Sequence, residues 1–123
     1  MAEVLIVDDE ALIRFSLSKA LTKEGLAVSD AENGKSAMEK ISRDKYSLAV
    51  IDLRLGDVDG IDVIRYLKKI SPQTGIIVIT AFGSEEVRRA VTLEGIDGFF
   101  EKPFDTYEIT KFIRGYLSPR NNN

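Results

Sequence analysis

Asp8, Asp9, Asp52, Thr80 and Lys102 are the residues of this chain best suited to act together, because each stands at the end of an apolar run. Val4-Leu5-Ile6-Val7 leads into Asp8-Asp9, Leu48-Ala49-Val50-Ile51 into Asp52, and Ile76-Ile77-Val78-Ile79 into Thr80. Gly98-Phe99-Phe100 leads into Glu101-Lys102-Pro103. If the runs are parallel strands of one sheet, their carboxyl ends share an edge, and open α/β sheets hold ligands in the crevice there. Three carboxylates at close range raise one another's pKa and need compensation. A divalent cation supplies it, and magnesium, which prefers oxygen ligands and keeps several waters, leaves room for phosphate oxygens. A carboxylate such as Asp52 can act as a nucleophile toward phosphorus, beside a metal that neutralises charge on the transferring group. Thr80 can donate its hydroxyl to a phosphoryl oxygen, and Lys102 offers it a point charge.

Taken singly, each residue has an ordinary reading. Asp8 or Asp9 could cap the helix that follows, Asp52 could form a turn, Thr80 could reflect β-propensity, and Lys102 could be solvated surface. The ordered set argues against that. Pro103 constrains the backbone of Lys102, and a cis bond there would aim the lysine inward.

Strand-like and helix-like segments alternate five times. Val4 to Val7 reads as a strand buried on both faces. Ala11 to Lys23 follows with Ile13, Leu17, Ala20 and Leu21 as a helical stripe, and Gly25 stops it. Leu26 to Ser29 is a weaker, edge-type strand. Asn33 is a candidate cap for a short helix over Lys35 to Ile41. Leu48 to Ile51 is the third strand. The third helix, Gly60 to Ile70, has Val63, Ile64, Leu67 and Ile70 on one side and ends at Ser71-Pro72. Ile76 to Ile79 is the fourth strand. Ser84 can cap a fourth helix with Glu85 and Glu86 in its first turn, whose stripe of Val87, Ala90 and Val91 predicts weak packing. Asp97 to Phe100 is the fifth strand. Asp105 and Glu108 resemble a capping box ahead of a stripe of Ile109, Phe112, Ile113, Tyr116 and Leu117. Five βα units predict a doubly wound parallel five-stranded sheet with helices on both faces.

The 123 residues suit one domain. Residues 1–118 are expected to form it and residues 119–123 a frayed polar tail. With no cysteine and no histidine, disulfides and histidine-based catalysis are excluded, and zinc and copper lose their preferred ligands. A net charge of −3 gives no basic face for nucleic acid. No signal peptide or membrane span is expected, so the predicted location is cytoplasmic.

The chain resembles a response regulator receiver domain over residues 3 to 117. The residues that carry the resemblance are Val7-Asp8-Asp9-Glu10, Asp52 with Leu55 and Asp59-Gly60, Thr80-Ala81, and Lys102-Pro103-Phe104. The resemblance implies a flavodoxin-like (βα)5 fold with strand order 2-1-3-4-5. It implies Asp52 as phosphoacceptor and Mg2+ (or Mn2+) held by Asp8, Asp9, Asp52 and the backbone carbonyl of Arg54. In that pattern Asp9 ligates directly and Asp8 through water. Thr80 matches the switch hydroxyl, Lys102 the phosphate-pairing lysine, and Phe99 the aromatic that changes rotamer. Phe99 stands where tyrosine is frequent, and Gly56 where the family usually has proline. Arg54 and Phe82 flank the site and are expected to shield an acyl phosphate from water.

The function implied is a phosphorylation-dependent signalling switch. A sensor histidine kinase or histidine phosphotransfer protein would donate the phosphoryl group, and a partner or output domain would read the surface of helix 4, strand 5 and helix 5. The domain would assist its own phosphotransfer and autodephosphorylation without turning over an external substrate. Homodimerisation on phosphorylation could use Arg88, Arg89, Glu94, Glu108, Lys111 and Arg114. Other readings are a degenerate receiver that only binds protein, an aspartate-nucleophile phosphohydrolase and a flavodoxin-like cofactor binder. For the hydrolase, Asp57 and Asp59 look poorly placed as the second acid. For the cofactor binder, Asp8-Asp9-Glu10 would repel a phosphate.

Overall fold

The computed structural model describes residues 3–118. Five strands, β1 (Val4–Val7), β2 (Val28–Ala31), β3 (Leu48–Asp52), β4 (Gly75–Thr80) and β5 (Gly98–Glu101), form one parallel sheet in the order β2-β1-β3-β4-β5. Five helices alternate with them: α1 (Ala11–Lys23), α2 (Gly34–Arg43), α3 (Gly60–Ile70), α4 (Glu85–Leu93) and α5 (Thr106–Leu117). The predicted doubly wound sheet is therefore present. Successive residues of a strand point to opposite faces, so β1, β3 and β4 each feed two cores. Val4, Ile6, Leu48, Val50, Ile77 and Ile79 pack with Leu17 and Leu21 of α1 and Ile109 and Ile113 of α5. Leu5, Val7, Ala49, Ile51, Ile76 and Val78 pack under α2, α3 and α4. β1 and β3 are covered on both faces and flanked by strands on both sides, which is why they read as unbroken apolar runs.

Several element ends differ from expectation. β2 lies two residues later than predicted. Gly25, at φ 86°, reverses the chain after α1, and the Leu26 N–H donates to the Leu21 carbonyl, so Leu26 belongs to the turn. β5 starts at Gly98 because Asp97 uses its carboxylate to accept from the Ile76 N–H at 2.9 Å. α2 runs longer than Lys35 to Ile41, with Asn33 capping it through the Ser36 N–H as expected. The Asp105 carboxylate caps α5 through the Tyr107 N–H, one position short of the predicted capping-box contact, because its short side chain reaches that donor first. Ile70, Phe112 and Tyr116, placed on core stripes by periodicity, are more than a third exposed, lying at the margins of their helices. The expected frayed tail, residues 119–123, lies outside the described residues.

α4 buries one side chain fully, Val91, with Val87 half-buried and Ala90 exposed. Its cap forms as predicted, Ser84 accepting from the Val87 N–H. Polar and ring contacts supplement the thin core. Arg65 of α3 donates from Nε and Nη2 to Glu94 Oε2, at 3.0 and 2.8 Å, and the Arg88 guanidinium lies 4.8 Å from the Phe99 ring centroid. Among the described residues no helix is long and apolar enough to cross a membrane.

Candidate functional site

The strand register assembles the site stepwise. Val7 pairs with Ile51, so Asp8 and Asp52 leave neighbouring strands side by side. Asp52 pairs with Ile79, one residue before Thr80, and Thr80 pairs with Glu101, one residue before Lys102. Each strand thus delivers its polar residue where apolar pairing ends. A cleft of about 350 Å³ lies over this edge, lined by Asp9, Glu10, Asp52, Arg54, Ala81, Phe82 and Lys102.

Charge inside the cleft is concentrated and buried. Lys102 Nζ lies 3.0 Å from Asp8 Oδ2, 2.8 Å from Glu10 Oε1 and 3.1 Å from Asp52 Oδ2. Its side chain is 11% exposed, so it is not the solvated surface lysine of the ordinary reading. The Lys102–Pro103 bond is cis. Burial works against the ammonium, but the hydrogen bonds to Glu10, Asp8 and Asp52 outweigh it and hold the lysine well above its usual range. Burial pushes the Asp8 carboxyl up to about 6, against the downward pull of the Glu10 N–H and Lys102. Burial likewise raises Asp52, opposed by Lys102 and the Arg54 N–H. One ammonium therefore faces several carboxylates without satisfying them.

Neither Asp8 nor Asp9 caps α1. The cap position is Glu10, whose side chain makes no cap contact, and Asp8 Oδ1 instead accepts from the Glu10 N–H at 2.8 Å. Asp8 Oδ2 is buried and faces the Lys102 ammonium at 3.0 Å, a cation it shares with Glu10 and Asp52. One oxygen from each of Asp8, Asp9 and Asp52 lies within 4.8 Å of the others. An all-oxygen donor set with buried carboxylates and excess negative charge fits a hard divalent cation such as Mg2+.

Around the acids, Thr80 is buried and its hydroxyl accepts from the Phe82 N–H at 3.1 Å. Arg54 donates its backbone N–H to Asp52 Oδ1 at 3.3 Å, and its guanidinium stacks 3.8 Å from the Phe82 ring centroid. Both flanking residues named from the sequence thus meet over one side of the cleft. Phe99 lies one strand away, half-buried beneath Arg88. Gly56 adopts φ 87°, which proline cannot. The loop after Asp52 is fixed by hydrogen bonds rather than by a ring.

Sequence reasoning did not single out Glu10 as a partner of Lys102, although its place directly after two acids was a usable signal. It also treated Asp57 only as a poorly placed acid. Of the six charged residues suggested for a dimer surface, Arg88 covers Phe99, Glu94 pairs with Arg65, and Arg114 donates to Glu24 Oε1 at 3.0 Å. Three of the six are already engaged within the chain.

The sequence model of the response regulator receiver domain matches residues 4–114. Sporulation initiation phosphotransferase F of Bacillus subtilis is 31% identical over 120 residues, covering 98% of this chain and 97% of that protein. The transcriptional regulatory protein GlrR of Escherichia coli is 35% identical over 104 residues, 85% of this chain but 23% of that protein. The chain thus spans nearly the whole of one relative and about a quarter of the other. Among solved structures, a CheY-like receiver domain protein of Methanospirillum hungatei superimposes with a TM-score of 0.90 at 27% identity, covering 95% of this chain and 94% of that one. The beryllofluoride-activated DrrB receiver domain, at 23% identity and a TM-score of 0.88, shares the fold over 95% of this chain and 97% of that one. A sheet of order 2-1-3-4-5, an acidic cluster at its carboxyl edge and a family match across nearly all of the described residues lead to one assignment: the chain belongs to the response regulator receiver domain family, the signalling domain of two-component systems.

Proposed function

We propose that this domain accepts a phosphoryl group on Asp52 in a Mg2+-dependent reaction and that the modified cleft changes the face formed by α4, β5 and α5. The observation that carries this reading is the buried Asp52 carboxylate, 3.1 Å from Lys102 and clustered with Asp8 and Asp9 in an open cleft. The donor is a phosphohistidine on a histidine kinase or phosphotransfer protein. A carboxylate oxygen of Asp52 forms the new P–O bond, the P–N bond breaks, and the imidazole leaves with the electron pair and takes up a proton. Asp8, Asp9, Asp52 and the Arg54 carbonyl would hold Mg2+, which would supply charge neutralisation at the transferring group.

Lys102 pairs with a phosphoryl oxygen and keeps it oriented. The Arg54–Phe82 stack covers one side of the cleft and limits the approach of water, which sets the lifetime of the acyl phosphate. A second cavity of about 470 Å³, lined in part by Glu10, Leu12, Ile13 and Phe104, adjoins the cleft. Beside it Leu12 and Phe15 of α1 are 78% and 64% exposed, an apolar flank for the donor protein. Phosphorylation adds about −1.5 to −2 charges and three acceptor oxygens. Thr80 turns from the Phe82 N–H to donate to one of them, Phe99 moves into the space released, and α4 shifts. A coupling of about 1–3 kcal/mol, ordinary for such switches, changes partner affinity about 5- to 150-fold.

Intact mass after incubation with Mg2+ and acetyl phosphate tests the assignment. The expected result is one added phosphoryl group, labile to base and absent in Asp52→Ala. If the mass does not change and beryllofluoride does not bind in the presence of Mg2+, the domain is a protein-binding module without phosphoacceptor chemistry.

A further inference from the structure

The loop that follows Asp52 is tied to a helix distant in sequence. Asp57, at the loop tip, accepts from the Gly34 N–H at 2.9 Å and the Lys35 N–H at 3.0 Å, the first donors of α2. Its Oδ1 also accepts from the Val58 N–H at 2.7 Å. A carboxylate at a helix N-terminus satisfies donors that have no partner within the helix and meets the positive end of its dipole. These contacts hold the Asp57 carboxyl below its ordinary value, the Gly34 and Lys35 bonds acting most strongly. The loop also packs closely on the start of α2, since a Cβ at Gly34 would collide with the Val58 side chain. Gly56, at φ 87°, turns the chain just before Asp57.

From this tip the constraint runs back to the cleft through short links. The Gly60 N–H donates to the Leu53 carbonyl at 2.9 Å, and Arg54 and Asp59 form an antiparallel bridge. The loop is therefore closed at its base, with Asp57 at the tip two residues from Asp59 and three from Arg54. Arg54 in turn holds Asp52 Oδ1 through its N–H and stacks on Phe82. We infer that Asp57 is a positioning residue: by latching the 53–60 loop onto the N-terminus of α2, it sets the Asp52 carboxylate and the Arg54 wall of the cleft for cation binding. The latch replaces the stiffness that a proline at position 56 would provide. It rests on the reading of the cleft as a Mg2+ site.

Calorimetric titration of the unphosphorylated domain with MgCl2 tests it, with Asp57→Ala, Asp57→Asn and Asn33→Ala beside the wild type. Asn33→Ala removes the cap that α2 makes for itself through Ser36 and leaves the latch in place, so it reports a purely structural loss. Asp57→Ala is expected to weaken Mg2+ binding about 10-fold, the lower end of losses seen when groups supporting metal ligands are removed. Asn33→Ala is expected to lower the melting temperature comparably while leaving affinity within about twofold, because the groups supporting the ligands are untouched. Asp57→Asn, which keeps the Oδ1 acceptor but loses the Lys35 contact, falls between and covers the case in which the alanine variant fails to fold. Unchanged affinity in both Asp57 variants, or an equal loss in Asn33→Ala, overturns the latch alone. A wild type that does not bind Mg2+ overturns the reading of the cleft and the latch with it.

Discussion

The cleft at the carboxyl edge of the sheet and the α4 face beside it are built in opposite ways. In the cleft, Asp8 and Asp52 are buried, the half-buried Lys102 is the one ammonium they share with Glu10, and burial raises both aspartates. α4 is mostly exposed and holds to the body through Val91, the half-buried Val87, one ion pair at its C-cap and one guanidinium-ring contact. The cleft is thus a site of unfavourable negative charge that a cation can relieve. The α4 face is where the fold has least to lose by moving. Thr80, at the end of β4, and Phe99, in the next strand, lie between them. A receiver needs that pairing: differential interaction free energy at one place and a weakly held element at another.

Core truncations on either side of β5 probe the contrast with the largest expected effects. Ile113 of α5 and Val91 of α4 are both fully buried. Ile113→Ala is expected to cost about 3–4 kcal/mol, since α5 is held by a core that cannot readily collapse. Val91→Ala is expected to cost about 1–2 kcal/mol, because fewer methyls are lost and α4 can settle into the gap. Urea unfolding measures both. Equal losses would mean that α4 is as firmly packed as α5, and the contrast would fail.

The charge in the cleft gives a smaller effect of opposite sign. The Asp8 carboxyl is raised from 3.8 to about 6 in the folded protein, so its ionised form opposes folding at neutral pH. Asp8→Asn is therefore expected to stabilise the metal-free domain by about 3 kcal/mol at pH 7. Between pH 6 and about 4 the folded wild type takes up a proton that the unfolded chain does not yet bind. The wild type then gains on the variant, and the gap closes. Mg2+ is expected to stabilise the wild type and not Asp8→Asn. Thermal melts across this pH range at zero and millimolar Mg2+ check both statements, and a gap that is constant with pH would remove Asp8 as its source.

The α4 helix was also the element whose weakness the sequence exposed most directly, since a stripe of only Val87, Ala90 and Val91 cannot bury a full helical face. The cleft was legible for a related reason: β1, β3 and β4 are apolar until the sheet ends, so the first polar residue marks the edge, and parallel register places those edges together. β2 and β5 were read less well because edge strands are half-solvated and mix polar with apolar residues. The start of β5 turned on Asp97 binding a backbone N–H across the sheet, which no local pattern encodes. The Asp57 contact with α2 spans more than twenty residues and uses a carboxylate whose neighbours suggest only a turn. Contacts of that kind depend on how loops fold back, and periodicity does not report it.

The smallest expected effect bears most directly on how the two regions communicate. Arg88 lies over Phe99, and a cation over an exposed aromatic face contributes about 0.5–1 kcal/mol. Arg88→Ala should therefore barely change global stability. Native-state hydrogen exchange should nevertheless report faster opening of α4 amides, with those of α5 unchanged, because α5 packs through Ile109 and Ile113 on the other face of the sheet. Adding beryllofluoride and Mg2+ extends the test to the switched state. If Arg88 holds Phe99 in its outward setting, the variant should show a smaller further change at α4 than the wild type, having lost that restraint beforehand. If instead α4 and α5 amides speed up together in Arg88→Ala, the two helices open as one unit, and α4 is not the separately movable element that its exposure suggests.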